Sequence, residues 1–171
     1  MAVLPVVLYP DPRLRERLAP VTEFGPDLRA AAADLRDTLD HLGAIGLAGP
    51  HLGQPVRFTM IRLPEPGAPA GLYVNPEIVW TSAETARHRE GSVSLPGLDE
   101  EVERPARLRL RYQGLDGAVH EAEASGFLAA CLQHEIDQLD GVFWLDRLSR
   151  LKRERLLKRH DRRRREAAGR R

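Results

Sequence analysis

Apolar positions in this 171-residue chain change their period along its length. In "GPDLRAAAADLRDTLDHLG", Leu28, Ala31, Leu35, Leu39 and Leu42 fall at helical spacing, between an opening Gly25-Pro26 and a closing Gly43. That spacing predicts a first long helix. From "PVRFTMIRL" onward the period shortens, and "GLYVNPEIVW", "ARLRLRYQ" and "AVHEAEA" read as strands, with the "GLDG" of Gly114 to Gly117 as a hairpin turn. The middle of the chain is therefore expected to be mostly antiparallel sheet. In "GFLAACLQHEIDQLD" the helical period returns, with Ser125 as its N-cap and Gly141 as its stop. Phe127, Cys131, His134 and Gln138 then lie on one stripe of that helix. A cap at Ser149 opens a basic terminal helix.

Hydrophobic content of 42% and charged content of 30% are those of a soluble globular protein and point to no function. The α+β pattern fits one domain over residues 1–149, with a basic extension over 150–171. Net charge is only +1, but "RLKRERLLKRHDRRRREAAGRR" holds twelve Lys/Arg against Glu154, Asp161 and Glu166, so the rest of the chain is acidic. The extension reads as a solvated helix and tail, or as a surface that contacts RNA phosphates. It contains no aromatic residue for base stacking. The lone Cys131 has no intramolecular disulfide partner, "MAVLPVVL" lacks a basic leader, and no segment approaches a membrane span. A cytoplasmic protein is expected.

Candidate chemistry enters with "CLQHEIDQLDG". His134 and position 138 are one turn apart, the spacing at which metal-binding helices project two ligands to one side, and Glu135 beside them is placed to act as a general base. Position 138 is Gln, however, and a lone histidine on an apolar helix face is commonly a satisfied core residue.

Two further stretches, "GAIGLAGPHLG" from Gly43 and "REGSVSLPG" from Arg89, precede "LQHEIDQLDG". Together they resemble, in order and spacing, the three signature motifs of peptide deformylases. "VLYPDPRLR", "YVNPEIV" and "GVFWLDRLSRLKR" extend the resemblance over nearly the whole chain. It implies a peptide-deformylase-like α+β fold, with mostly antiparallel sheets around a central motif-bearing helix. It also implies a metallohydrolase that removes the formyl group from N-terminal formylmethionine, using a divalent metal (Fe, Zn or Ni).

Transferred residue by residue, the family's metal-binding cysteine falls on Ser92 and its two histidines on His134 and Gln138. Glu135 is the proton carrier, His51 stands where the family has a glutamine that steadies the oxyanion, and Val93 would supply the backbone donor. Ile45, Gly46, Leu47, Gly91, Phe127, Leu128 and Cys131 match positions lining a methionine-sized cavity. Asp99 stands where the family commonly has a peptide-binding arginine, and an acid there would favour a cationic ligand. A serine hydroxyl and a carboxamide are poor replacements for a thiolate and an imidazole, so metal affinity is expected to fall by orders of magnitude. His51 could instead join His134 as a new ligand.

Three readings follow from the resemblance and its departures. One is a hydrolase acting on an N-formyl or other N-acyl amide through a non-standard site, with weak or altered deformylase activity. A second is a catalytically silent homologue that binds a peptide or small molecule, with the ribosome as a candidate partner of the basic tail. The third is small-molecule acyl transfer or hydrolysis using Ser92 or Glu135 without the usual metal.

Overall fold

The computed structural model describes residues 2–65 and 69–168. Helix α1 (Pro26–Leu42) is followed by strands β1 (Gly46–Ala48), β2 (Phe58–Ile61), β3 (Gly71–Thr81), β4 (Thr85–Ser92), β5 (Leu95–Pro105), β6 (Arg107–Gln113) and β7 (Val119–Ser125). Helices α2 (Gly126–Leu139) and α3 (Arg150–Ala168) complete the chain. One antiparallel sheet has the order β1-β2-β3-β6-β7, and β4 and β5 form a separate two-stranded sheet. Among the described residues no helix is long and apolar enough to cross a membrane.

The alternation along β2 assigns α1 and α2 to their places. Phe58 and Met60 join Leu28, Leu35 and Leu39 of α1 in one core, whereas Ile61 joins Leu108, Leu110 and Ala124 beneath Ala129 and Leu132 of α2. Successive side chains of a strand point to opposite faces, so the two helices cover opposite faces of the larger sheet. A third core joins Leu95, Leu98 and Val102 of β5 to Phe143, Trp144 and Leu156. Leu156 belongs to α3, so the basic helix is docked on the body of the protein. Lys152 to Glu100 and Arg163 to the Gly97 carbonyl hold the same contact at its polar rim.

Three strands, β1, β4 and β5, were not apparent in the hydrophobic pattern. β4 and β5 are rich in charge, and their pairing is written in cross-strand partners such as Arg87 with Glu103. Ser125 does precede α2 in an extended conformation, but its side chain makes no capping hydrogen bond. At the other end of α2, Gly141 adopts φ +76°, where a side chain would overlap the Arg15 carbonyl. There the Leu18 N–H donates to the Leu139 carbonyl at 3.0 Å, pinning the N-terminal segment against the helix end.

Candidate functional site

Three elements converge on one cavity of about 290 Å³: the chain entering β1, the end of β4, and the first three turns of α2. Its wall includes Ile45, Gly46, His51, Gly91, Ser92, Val93, Phe127, Cys131, His134 and Glu135, all singled out in the sequence. The structure does not bring four other candidates into that wall. Leu47 is fully buried in the core under α1, and Leu128 packs in the core under α2. Asp99 is paired with Arg89, and it is Arg89 that lines the cavity, so the charge contributed to the rim is a cation. Gln138, one turn beyond His134, lies past the cavity: its Nε2 donates to the Leu14 carbonyl at 2.7 Å, in the pinned N-terminal segment.

The strongest electrostatic feature was missed by spacing arguments. Glu90, buried on β4, receives two hydrogen bonds from Arg104, of which that from Nη2 is 2.9 Å, and lies 2.9 Å from His134 Nδ1. Arg104 also donates to Asp137 of α2, which in turn binds Arg147. Burial opposes ionisation of Glu90, but the hydrogen bonds from Arg104 and His134 outweigh it and hold its pKa at about 2. For His134, burial likewise opposes the charge, and the Glu90 contact with the nearby Glu135 charge outweighs it, raising the imidazole above its ordinary value. Glu90 therefore fixes the ring through Nδ1, with the imidazole itself part of the cavity wall. An acid next to the Gly91-Ser92 stretch and an arginine just before Pro105 were the only sequence signals for this network.

His51 is turned the other way. Its Nδ1 accepts the Ala48 N–H at 3.0 Å, which puts the ring proton on Nε2. Burial, with the neighbouring His134 charge, pushes its pKa down to about 3, so the ring is neutral. Nε2 is buried without a hydrogen-bond partner, as is Oε2 of Glu135, which lies 3.8 Å from His51 Nδ1. Burial pushes the Glu135 pKa up to about 7, with the Glu90 charge adding and His134 opposing. Gly46 makes room for this carboxyl, because a methyl group at that position would overlap Glu135 Oε1. Burial, followed by the charges of Glu135 and Glu90, pushes the Cys131 thiol up to about 12, leaving it a protonated, unreactive part of the wall.

A divalent metal is what the family resemblance implies, and this donor set does not fit one. Of the three corresponding positions only His134 offers an imidazole; Ser92 Oγ accepts the Ser94 N–H at 3.1 Å, and Gln138 is committed to Leu14. His51 presents an N–H rather than a lone pair from Nε2. Among the described residues, no three His, Cys, Asp or Glu side chains are grouped so that they could hold a metal ion. Nor does a hydrogen bond join Ser92 to His51 or His134 among them, so the serine has no base to activate it.

The buried ion network yields a stability prediction. Arg104→Met leaves Glu90 and Asp137 without their shared cation, and breaking a buried pair in this way costs about 3–5 kcal/mol. Urea denaturation should show a midpoint lowered accordingly; a loss below about 1 kcal/mol would mean the network is not structural.

Comparisons with known proteins agree with the geometry. The sequence profile of the polypeptide deformylase family matches residues 3–154. A peptide deformylase-like protein of Brucella suis biovar 1 (strain 1330) is 54% identical over 161 residues, covering 94% of this chain and 98% of that protein. A peptide deformylase of the same strain is 42% identical over 160 residues, covering 92% and 91%. The crystal structure of peptide deformylase from Ehrlichia chaffeensis superposes with a TM-score of 0.90 at 30% identity, over 98% of this chain and 99% of that one. The chain belongs to the polypeptide deformylase family.

Proposed function

We propose that the protein takes an N-formyl or other N-acyl amide into this cavity and hydrolyses it slowly, with Glu135 as the proton carrier. The observation that carries this reading is the pair of buried, unpartnered atoms, His51 Nε2 and Glu135 Oε2, in residues that line one cavity. Unsatisfied buried polar atoms are costly, and a ligand offering an acceptor and a donor satisfies both. An amide does so: its carbonyl takes the His51 N–H, and its N–H or an attacking water donates to Glu135.

In the reaction, Glu135 takes a proton from water as the oxygen adds to the acyl carbon. The resulting oxyanion is held by His51 Nε2–H and by the backbone of Val93. Glu135 then passes the proton to the departing nitrogen as the C–N bond breaks, giving a carboxylic acid and an amine. Each oxyanion donor is worth about 10²–10³ in rate. With a donor set that does not fit the family's divalent metal, these donors are the main electrophilic help, so turnover of formylmethionyl peptides is weak.

A second reading, binding without turnover, is favoured by one specific observation: the Gln138 carboxamide is spent on the Leu14 carbonyl, so nothing from that helical turn reaches the cavity. A formylmethionyl-peptide turnover assay separates the two. The wild type should release product slowly and Glu135→Gln should fall to the uncatalysed background. Equal, background rates for both would eliminate hydrolysis of this substrate and leave the binder.

The same reading makes the protein cytoplasmic and puts α3 against the ribosome. Arg155, Lys158, Arg162 and Arg165 are exposed and recur every three or four residues along one face of the helix. Phosphate contacts of this kind are lost steeply with salt. Co-sedimentation with ribosomes at low salt should be lost on changing all four residues to Glu; unchanged co-sedimentation would remove the ribosome as a partner of this face.

A further inference from the structure

The larger sheet ends in an open edge. Its order β1-β2-β3-β6-β7 leaves one side of β7 without a neighbouring strand, whereas the opposite edge, β1, is only three residues long. Two hydrogen bonds at the ends of the β6–β7 ladder fix which backbone groups face that open side. The Gly126 N–H donates to the Ala106 carbonyl at 3.0 Å and the Gly114 N–H to the Ala118 carbonyl at 2.9 Å, each just outside a registered pair, Arg107 with Ser125 and Gln113 with Val119. Both terminal pairs are therefore of the non-hydrogen-bonded kind. The two kinds alternate along an antiparallel ladder, so Arg109 with Glu123 and Arg111 with Glu121 are of that kind too. Val119, Glu121, Glu123 and Ser125 thus aim N–H and C=O away from β6, and these groups have no partner among the described residues.

The side chains along this edge decide what it accepts. On the solvent face, Glu121 and Glu123 of β7 stand beside Arg107, Arg109 and Arg111 of β6, and Glu77 of β3 lies across from Arg111. Arg111 holds Glu121 at 3.2 Å, and Arg107 reaches Glu84 at 3.9 Å. The Arg109 guanidinium is turned over the Trp80 ring of β3, 5.6 Å from its centroid, so the facing Glu123 has no ion pair among the described residues. Across the face a row of cations is followed by a row of acids, and the complement of that outer row is cationic. On the other face β7 presents His120, which packs on Tyr112, and the small Ala122 and Ala124. A second copy fits poorly: two-fold antiparallel pairing of β7 with itself sets Glu121 against Glu123, or one of them against its own counterpart, in the registers that pair most of the strand.

We infer that the outer edge of β7 is a docking site for an extended basic polypeptide segment, which joins the sheet as a further strand with cationic side chains at alternate positions beside Glu121 and Glu123. Its main chain takes up the outward N–H and C=O groups, and the alternate side chains select by charge. The site is separate from the cavity and independent of the chemistry there.

Hydrogen exchange followed by NMR on the full chain tests both the geometry and the occupant, with a capped peptide of alternating lysine and valine as probe and its glutamate–valine counterpart as control. In the free protein the amides of Ala122 and Ala124 should be protected and those of Glu121 and Glu123 should exchange freely. The lysine peptide should slow exchange at Glu121 and Glu123, and the glutamate peptide should not. Glu123→Lys should weaken binding of the lysine peptide about ten-fold, the scale of exchanging a favourable cross-strand charge pair for a like-charge one. Glu123→Pro removes an outward N–H without touching the β6 ladder, so it should also weaken binding while circular dichroism stays unchanged. Equal binding of the two peptides, or protection that neither substitution reduces, would overturn the inference. So would a lack of protection by the lysine peptide up to millimolar concentration. Protection of the same amides by raised protein concentration alone would also overturn it and give the edge to a second copy.

Discussion

The carboxylate of Glu90 is the interaction on which the rest of the site depends. It is buried on β4 and bonded to Arg104 of β5 and His134 of α2, and Arg104 continues to Asp137 one turn further along the helix. One ion network therefore ties the small sheet to the central helix and sets the orientation of the imidazole facing the cavity. Buried ions are costly to desolvate, and the network is tolerable because each carboxylate has a cation and several hydrogen bonds. Removing its centre would release both the sheet and the histidine, so stability and site geometry share a cause.

Around this support stand the candidate reacting groups. His51 keeps a buried proton on Nε2, Glu135 keeps a carboxyl poised near neutrality, and Ser92 sits in a local turn bonded to Ser94. Rather than lining the cavity, Gln138 bonds to the N-terminal segment, where Leu18 and Leu14 meet the end of α2. These are compatible choices: a carboxamide can satisfy a buried carbonyl as a donor, and an imidazole whose Nδ1 accepts a backbone N–H must offer a donor at Nε2. The result is a cavity whose lining includes the acids Glu90 and Glu135, on a scaffold that superposes closely on solved peptide deformylases.

Much of the architecture was legible in the sequence. Helices α1 and α2 follow from their apolar stripes and from Gly43 and Gly141, and strands β2, β3, β6 and β7 of the large sheet follow from the shortened period. β4 and β5 were hidden because their pairing rests on charges such as Arg87 with Glu103 and on the buried Glu90 with Arg104, which mimic a solvated loop when read one residue at a time. The stripe argument joined Phe127, Cys131, His134 and Gln138, but it cannot say where a wall ends; the N-terminal segment meets the helix at its last turn and covers Gln138. The partner of Asp99 was illegible for the same reason, since it depends on the register of two charge-rich strands.

Ser92, His51 and Gln138, committed as they are to other hydrogen bonds, make a donor set that does not suit the family's divalent metal. Metal content per chain, measured by mass spectrometry on protein purified without added metal, tests it most directly when wild type is compared with the triple variant Ser92→Cys, Gln138→His, His51→Gln. Iron, zinc or nickel should be far below one per chain in the wild type and near one per chain in the variant. Near-stoichiometric metal in the wild type would contradict it.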